Sequence, residues 1–157
     1  MPSIHLTTFI AAPVSRVFDL ARNIDVHKES MNQHKEEAVA GIRFGLIEKN
    51  ETVTWKAKHL FKTRFYRSEI TEMKKPDMFV DEQVKGDFAM MKHEHYFKPI
   101  ENGTLMIDQF HFETRGAFGK LINRIYLEKY MTELLTTRNE MIRQVAESNQ
   151  WKQFINQ

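Results

Sequence analysis

The stretch Thr7–His27 reads TTFIAAPVSRVFDLARNIDVH, and its hydrophobic period changes halfway along. Up to Ile10 the chain alternates: Ile4, Leu6, Thr8 and Ile10 fall on one face, His5, Thr7 and Phe9 on the other, which makes Ser3–Ile10 a strand. Ala11-Ala12-Pro13 then breaks it, and Pro13 suits the first position of a helix. Val14, Val17, Phe18 and Ala21 recur at helical spacing, so Val14–Arg22 is expected to be a short amphipathic helix. Asp25 is positioned to cap a second short helix reaching about Met31.

Beyond these helices the pattern returns to period two. Strands are expected at Glu36–Ala40, Glu51–Leu60, Thr63–Met73, Met78–Lys85, Ala89–Lys98 and Thr104–Glu113. Turns are marked by Gly41, Gly45, Lys49-Asn50, Lys75-Pro76-Asp77, Gly86-Asp87 and the hairpin Glu101-Asn102-Gly103. Such short connections argue for an antiparallel meander. Gly116–Gly119 ends the sheet, and from Lys120 to about Ser148 there is no Gly or Pro. Leu121, Ile122, Ile125, Leu134, Leu135, Met141, Ile142 and Val145 form a wide apolar stripe there, so one long helix of roughly 40 Å is expected. The tail, Asn149–Gln157, is expected to fray. The order is α+β: strand, two small helices, about six antiparallel strands, one long helix. A curved sheet can wrap that last helix, with the short helices plugging one end. No repeat, linker or low-complexity tract divides residues 1–157, so one domain is expected.

The bulk numbers exclude several classes of function. The 157 residues include no cysteine, which removes disulfides, thiolate metal ligands and a thiol nucleophile, and fits a reducing compartment. No secretory leader pattern and no apolar run of membrane-spanning length is present, so the expected setting is the cytoplasm, without stable membrane insertion. The formal net charge is +2, with basic residues interspersed among acids; nucleic-acid binding would need a basic stripe. Phosphate loops and the nucleophile-elbow motif are absent. Twelve phenylalanines point to an aromatic interior or to the lining for a bulky apolar ligand.

Alternation sorts the polar side chains. On Glu51–Leu60, His59 shares a face with Trp55, while Lys56 and Lys58 face water. In Met91–Phe97, MKHEHYF, His93 and His95 share the face of Met91 and Phe97, with Glu94 opposite. Asp108 is taken as inward because Phe110 and Phe112 accompany it. Pairing symmetrically about Asn102 sets Asp108 near Tyr96, one step from His95, close enough for an inward His–Asp hydrogen bond. Such groups can simply satisfy one another in a core, yet a dry core rarely holds so many when each unpaired one costs ~1–3 kcal/mol. A wet concavity tolerates them. Metal binding is not expected: His93 and His95 lack third and fourth ligands, since Glu101 comes too late and His111 faces the other way. No cofactor is expected.

Taken together, the elements and motifs resemble the helix-grip superfamily that holds the START lipid-transfer domains, the birch-pollen allergen relatives and the polyketide cyclase/dehydrase proteins (SRPBCC). Thr7–His27 resembles its opening strand and proline-started helix with V-F-D-L; ETVTWKAKH, FVDEQVKGDF, MKHEHYF, GTLMIDQF and the last helix resemble a small bacterial ligand-binding subgroup. One departure is Gly86-Asp87-Phe88, where many relatives carry Gly-Pro-Phe; without proline the turn is less rigid. The resemblance implies six or seven curved strands wrapped around the terminal helix and a deep cavity between them. It brings no established catalytic residue. An empty hollow of roughly 300 Å³ would cost about 7 kcal/mol, comparable to a domain's whole stability, so it should hold water or ligand.

The first functional expectation is therefore binding, with possible transport or sequestration, of a small apolar or lipid-like molecule. Trp55, Phe97 and Phe110 would supply walls; His59, His93, His95 and Asp108 would orient its polar end. Tyr66 and Gln83 are further candidates whose facing stays open. The alternative is a cyclase- or dehydratase-like enzyme using an inward His as general base. A third reading, an interaction protein with a vestigial cavity, would require a large exposed apolar patch.

Overall fold

Turn chemistry and alternation produce a seven-stranded antiparallel sheet. The computed structural model describes residues 3–116 and 121–156, with the side chains of 121–123 left aside. The strands are β1 (Ser3–Ile10), β2 (Glu37–Gly41), β3 (Thr52–His59), β4 (Lys62–Lys74), β5 (Met78–Lys85), β6 (Met90–Ile100) and β7 (Gly103–Glu113), in the spatial order β1-β7-β6-β5-β4-β3-β2. The first strand thus closes onto the last, as a meander with one long return requires. Irregular pairing leaves an extra residue at Val39 in β2, Thr71 in β4 and Val84 in β5, and such bulges bend a sheet. Three α-helices among the described residues complete the fold: α1 (Val14–Ala21), α2 (Ile24–Ser30) and α3 (Leu121–Glu147). This is the expected α+β helix-grip arrangement, with a curved sheet, two short helices after the first strand and a long terminal helix. No helix among the described residues is long and apolar enough to cross a membrane.

Several local expectations need correction. Pro13 sits one position before α1, with extended backbone, rather than as its first helical residue. Asn23 caps α2, its side chain accepting from the Val26 amide, because it stands immediately before the first helical residue. Asp25 lies inside the first turn and accepts from the Gly45 amide. The β6–β7 turn is two residues, Glu101–Asn102, with Asn102 left-handed at φ 65°, so Gly103 already belongs to β7. A Cβ on Gly103 would lie 2.4 Å from the Ile10 carbonyl oxygen, so β1 can approach only a glycine there. That shorter turn pairs Asp108 with His95, not Tyr96.

The tail does not fray. Asn149–Gln153 forms a 3₁₀ turn, Ile155 is buried, and Trp151 and Phe154 pack on the main core. The Asn23 amide also donates to the Phe154 carbonyl at 3.2 Å. The start of the long helix at Lys120, residues 117–119 of the expected exit turn, and Gln157 lie outside the described residues, as does the facing of Leu121 and Ile122.

The apolar interior falls into two groups. One joins α1, α2 and the end of α3 through Phe18, Leu20, Ile24, Ile142 and Val145 to Phe79, Phe97 and Met106 of the sheet. The other joins Ile4, Phe110 and Phe112 to Leu127 and Leu135 of α3. Between them the helix stands off the sheet.

Candidate functional site

A cavity of about 240 Å³ occupies the space where α3 leaves the sheet. The alternation that builds each strand also supplies its lining. From β3 come Val53, Trp55 and His59; from β4, Tyr66, Ser68 and Ile70; from β5, Phe79, Asp81 and Gln83. Met91, His93 and His95 follow from β6 and Phe110 from β7, while α3 contributes Tyr130 and Arg138. His27 of α2 and Glu36, just before β2, add further polar groups, and Arg22 and Arg64 also reach the lining.

Two of the expected site residues sit elsewhere. Phe97 points into the core, edge-on to Phe18 at 5.2 Å and stacked with Phe79 at 5.9 Å, because it lies beyond the end of the hollow where α1 packs. Asp108 is wholly buried behind the histidines and does not line the cavity. Trp55, His59, Tyr66, His93, His95 and Phe110 all line it.

The first polar group sits between β5, β6, β7 and α3. His93 Nε2 lies 2.7 Å from Asp108 Oδ1, and His95 Nε2 lies 2.6 Å from Asp81 Oδ2. The two imidazoles stack with centroids 3.7 Å apart, and Phe79 stacks on the far side of His95 at 4.1 Å. Arg138 reaches in from α3: Nη1 donates to Asn139 Oδ1 and Asp108 Oδ1, Nη2 to the Ala21 carbonyl and to His95 Nδ1. Asn139 in turn donates to Asp108 Oδ2 at 2.8 Å. His95 Nδ1 thus faces both Arg138 Nη2 at 3.3 Å and Asp108 Oδ1 at 3.4 Å, while its Nε2 meets Asp81.

Burial dominates the titration here. It lowers His93 to about 4, the neighbouring His95 ring adds to the effect, and Asp108 only partly opposes it. His93 is therefore neutral near pH 7 and donates Nε2–H to Asp108, leaving Nδ1 as an acceptor. For Asp108, burial pushes upward but is outweighed by hydrogen bonds from His93 and His95, so the carboxyl titrates well below its usual range. Asp81 behaves alike: burial raises it, and the His95 hydrogen bond leads the opposing effects that more than compensate.

The second polar group centres on Glu36. Its Oε1 lies 2.6 Å from both His27 Nε2 and the Tyr66 hydroxyl, and Oε2 is 3.4 Å from His59 Nε2. His59 Nδ1 meets the Tyr130 hydroxyl at 2.8 Å, and the His34 ring lies tilted against His59 with centroids 4.5 Å apart. His27 packs against Trp55 with centroids 4.5 Å apart. Burial would raise Glu36, yet the attraction of His27 and the hydrogen bonds of His27, His59 and Tyr66 hold it far below the usual carboxylate range. Burial, then the Glu36 carboxylate, push the Tyr66 phenol upward, so it remains a donor.

A metal-like set also appears. Asp81, His93 and His95 bring ligand atoms within 4.8 Å of one another, so Asp81 supplies the third ligand that the spacing of histidines and glutamates did not reveal. The arrangement suits a cation poorly. Two imidazoles stacked at 3.7 Å with 28° between planes cannot both aim a lone pair, in plane, at one point. The Arg138 guanidinium, 3.3 Å from His95 Nδ1, adds a resident positive charge.

Asp81, Arg138, Asn139, Glu36 and His27 were not among the residues anticipated. Two had a readable signal. Asp81 lies two residues from Phe79 and two from Gln83, hence on their face, and Arg138 stands four residues from both Leu134 and Ile142 in the apolar stripe. Glu36 had none, since it precedes its strand and its burial depends on α2 crossing above it.

No family model and no curated protein matches the chain. Solved structures do. A START superfamily protein from Mycobacterium smegmatis superposes with a TM-score of 0.71 at 11% identity, over 92% of this chain and 97% of that one. The Zhui aromatase/cyclase from Streptomyces sp. R1128 gives 0.74 at 16% identity, over 93% of each chain. A protein from Thermus thermophilus gives 0.70 at 22% identity, over 90% of this chain and 97% of that one. At such identities the likeness establishes the fold, which is the helix-grip fold of START and cyclase-like proteins.

Proposed function

We propose that the hollow between the sheet and α3 is a binding site for a small, mostly apolar molecule carrying a polar end, in a cytoplasmic protein. The observation that carries this reading is a cavity of about 240 Å³ walled by Trp55, Phe79, Phe110 and aliphatic side chains, with one polar group built around Asp81, His93 and His95 and another around Glu36. Left as an empty void, that volume would cost about 6 kcal/mol at roughly 24 cal/mol per Å³, a large part of a domain's stability. A few placed polar groups in an apolar enclosure are what small-molecule sites use to orient a ligand. The size favours a compact ligand, since pockets for drug-sized molecules span roughly 300–1,000 Å³.

The enzymatic alternative, a cyclase- or dehydratase-like lyase with His as general base, draws less support from the geometry. Both His95 nitrogens are engaged, and His93, at about 4, is a weak base near neutral pH. Native mass spectrometry of the purified protein, together with thermal shifts across apolar and aromatic metabolites, tests the binding reading. A retained small molecule or a saturable shift is expected; a reproducibly empty protein that responds to none of the panel would refute it.

A further inference from the structure

The three arginines that line the cavity are already committed. Arg22 is paired with Asp19 and Glu48, Arg64 with Asp87, and the Nη hydrogens of Arg138 go to Asn139, Asp108, the Ala21 carbonyl and His95. A bidentate clamp on a ligand carboxylate or phosphate needs two parallel guanidinium donors, and Arg138 has none left in that geometry. The imidazole donors are likewise spent: His93 Nε2 on Asp108, His95 Nε2 on Asp81, and His27 and His59 on Glu36.

Beside the paired histidines, two acceptors remain open among the described residues. His93 Nδ1 has no partner among the described residues and is not an enclosed atom, and Asp81, one-fifth exposed at its side chain, uses only Oδ2. Both lie at the end of the hollow bounded by Phe79, stacked on His95 at 4.1 Å, and Phe110, edge-on to His93 at 5.3 Å.

From this we infer the ligand's chemical class: a compact, neutral aromatic molecule whose buried end is a hydrogen-bond donor, a phenolic or enolic hydroxyl, and not an acid. The hydroxyl donates to His93 Nδ1 or Asp81 Oδ1. A carboxylate placed there would meet Asp81 and, behind it, Asp108, two carboxylates against the single Arg138 guanidinium, whose Nη donors are already taken. The inference rests on the binding reading above and narrows it, setting aside fatty acids and phosphorylated lipids whose head groups would enter this end.

Three bicyclic probes of nearly equal shape separate the possibilities: 2-naphthol, naphthalene and 2-naphthoate, titrated against the full chain at pH 7 by fluorescence and thermal shift. We expect 2-naphthol to bind on the order of tenfold tighter than naphthalene, the equivalent of one satisfied hydrogen bond, and 2-naphthoate to bind more weakly than either. Asp81→Leu and His93→Leu, made separately, should each reduce the ratio of 2-naphthol to naphthalene affinity. If 2-naphthoate binds as tightly as 2-naphthol, or 2-naphthol no better than naphthalene, the acceptor-end inference is overturned while the binding reading survives. If none of the three binds while another member of the apolar panel gives a saturable shift, the acceptor-end inference falls and the binding reading stands.

Discussion

His93 shows how burial sets chemistry one side chain at a time. Its native titration point, about 4, lies below the ordinary 6.5, so between these values the unfolded chain holds a proton that the native chain refuses. The stabilisation is full above about pH 6.5 and is lost as pH falls through the window, at up to ~1.4 kcal/mol per pH unit for one proton. His34, also lowered, first by burial and then by His59, acts in the same direction. Urea unfolding of His93→Gln across pH 7 to 4 should give a visibly flatter dependence; an unchanged slope would mean the imidazole is not the group responsible. Asp108 makes a separate test. Asp108→Ala leaves Arg138 and Asn139 facing an empty acceptor, and breaking such a buried ionic group costs about 3–5 kcal/mol. Denaturant midpoints for Asp108→Ala, Arg138→Met and the double variant should show the two losses to be far from additive.

Secondary-structure elements here carry both regularity and strain. The β3–β4 hairpin is closed by Leu60 and Phe61, both left-handed at φ 52° and 65°, with His59 paired to Lys62. A two-residue turn of that hand ordinarily takes Asn-Gly, and a non-glycine residue in it costs roughly 1–2 kcal/mol. Phe61 is 98% exposed and recovers nothing by packing. Phe61→Gly should therefore stabilise the protein by about 0.5–1 kcal/mol after the glycine's extra unfolded-state entropy is deducted, read as a rise in the melting midpoint. The long helix contributes differently. Arg138 and Asn139 sit within its apolar stripe and tie it to β6, β7 and the end of α1 through Asp108, His95 and the Ala21 carbonyl. They fix how the helix crosses the sheet at one end of the cavity.

The molecule as a whole is a shell stabilised at its ends and open in the middle. The core of α1, α2 and the tail closes one end, and the cluster around Phe110, Phe112 and Leu135 closes another part. A ligand that binds only the folded state should stabilise it by about 2.7 kcal/mol at a hundredfold excess over its Kd, which for a chain of this size raises the midpoint by roughly 5–10 °C. Differential scanning fluorimetry at increasing concentration of a hit from the apolar panel measures it; a midpoint that does not move with ligand concentration would contradict binding in the hollow.

Much of this was legible in the chain itself. Alternation placed His59, His93, His95 and Asp108 on inward faces, and a run free of Gly and Pro announced the long helix, because strand and helix periods are local properties of side-chain order. Composition also excluded thiol chemistry. Only the tertiary structure decided which inward groups meet. A turn one residue shorter moved Asp108 opposite His95, and contacts between elements distant in sequence bring Asp108 closest to His93 and Asp81 closest to His95. Glu36 became a buried hub because α2 and β4 approach it, and Phe97 left the site because α1 occupies its end of the sheet. Period fixes the face of a residue; register and the crossing of a helix fix its neighbours, and these arise from packing between distant segments that no local pattern encodes.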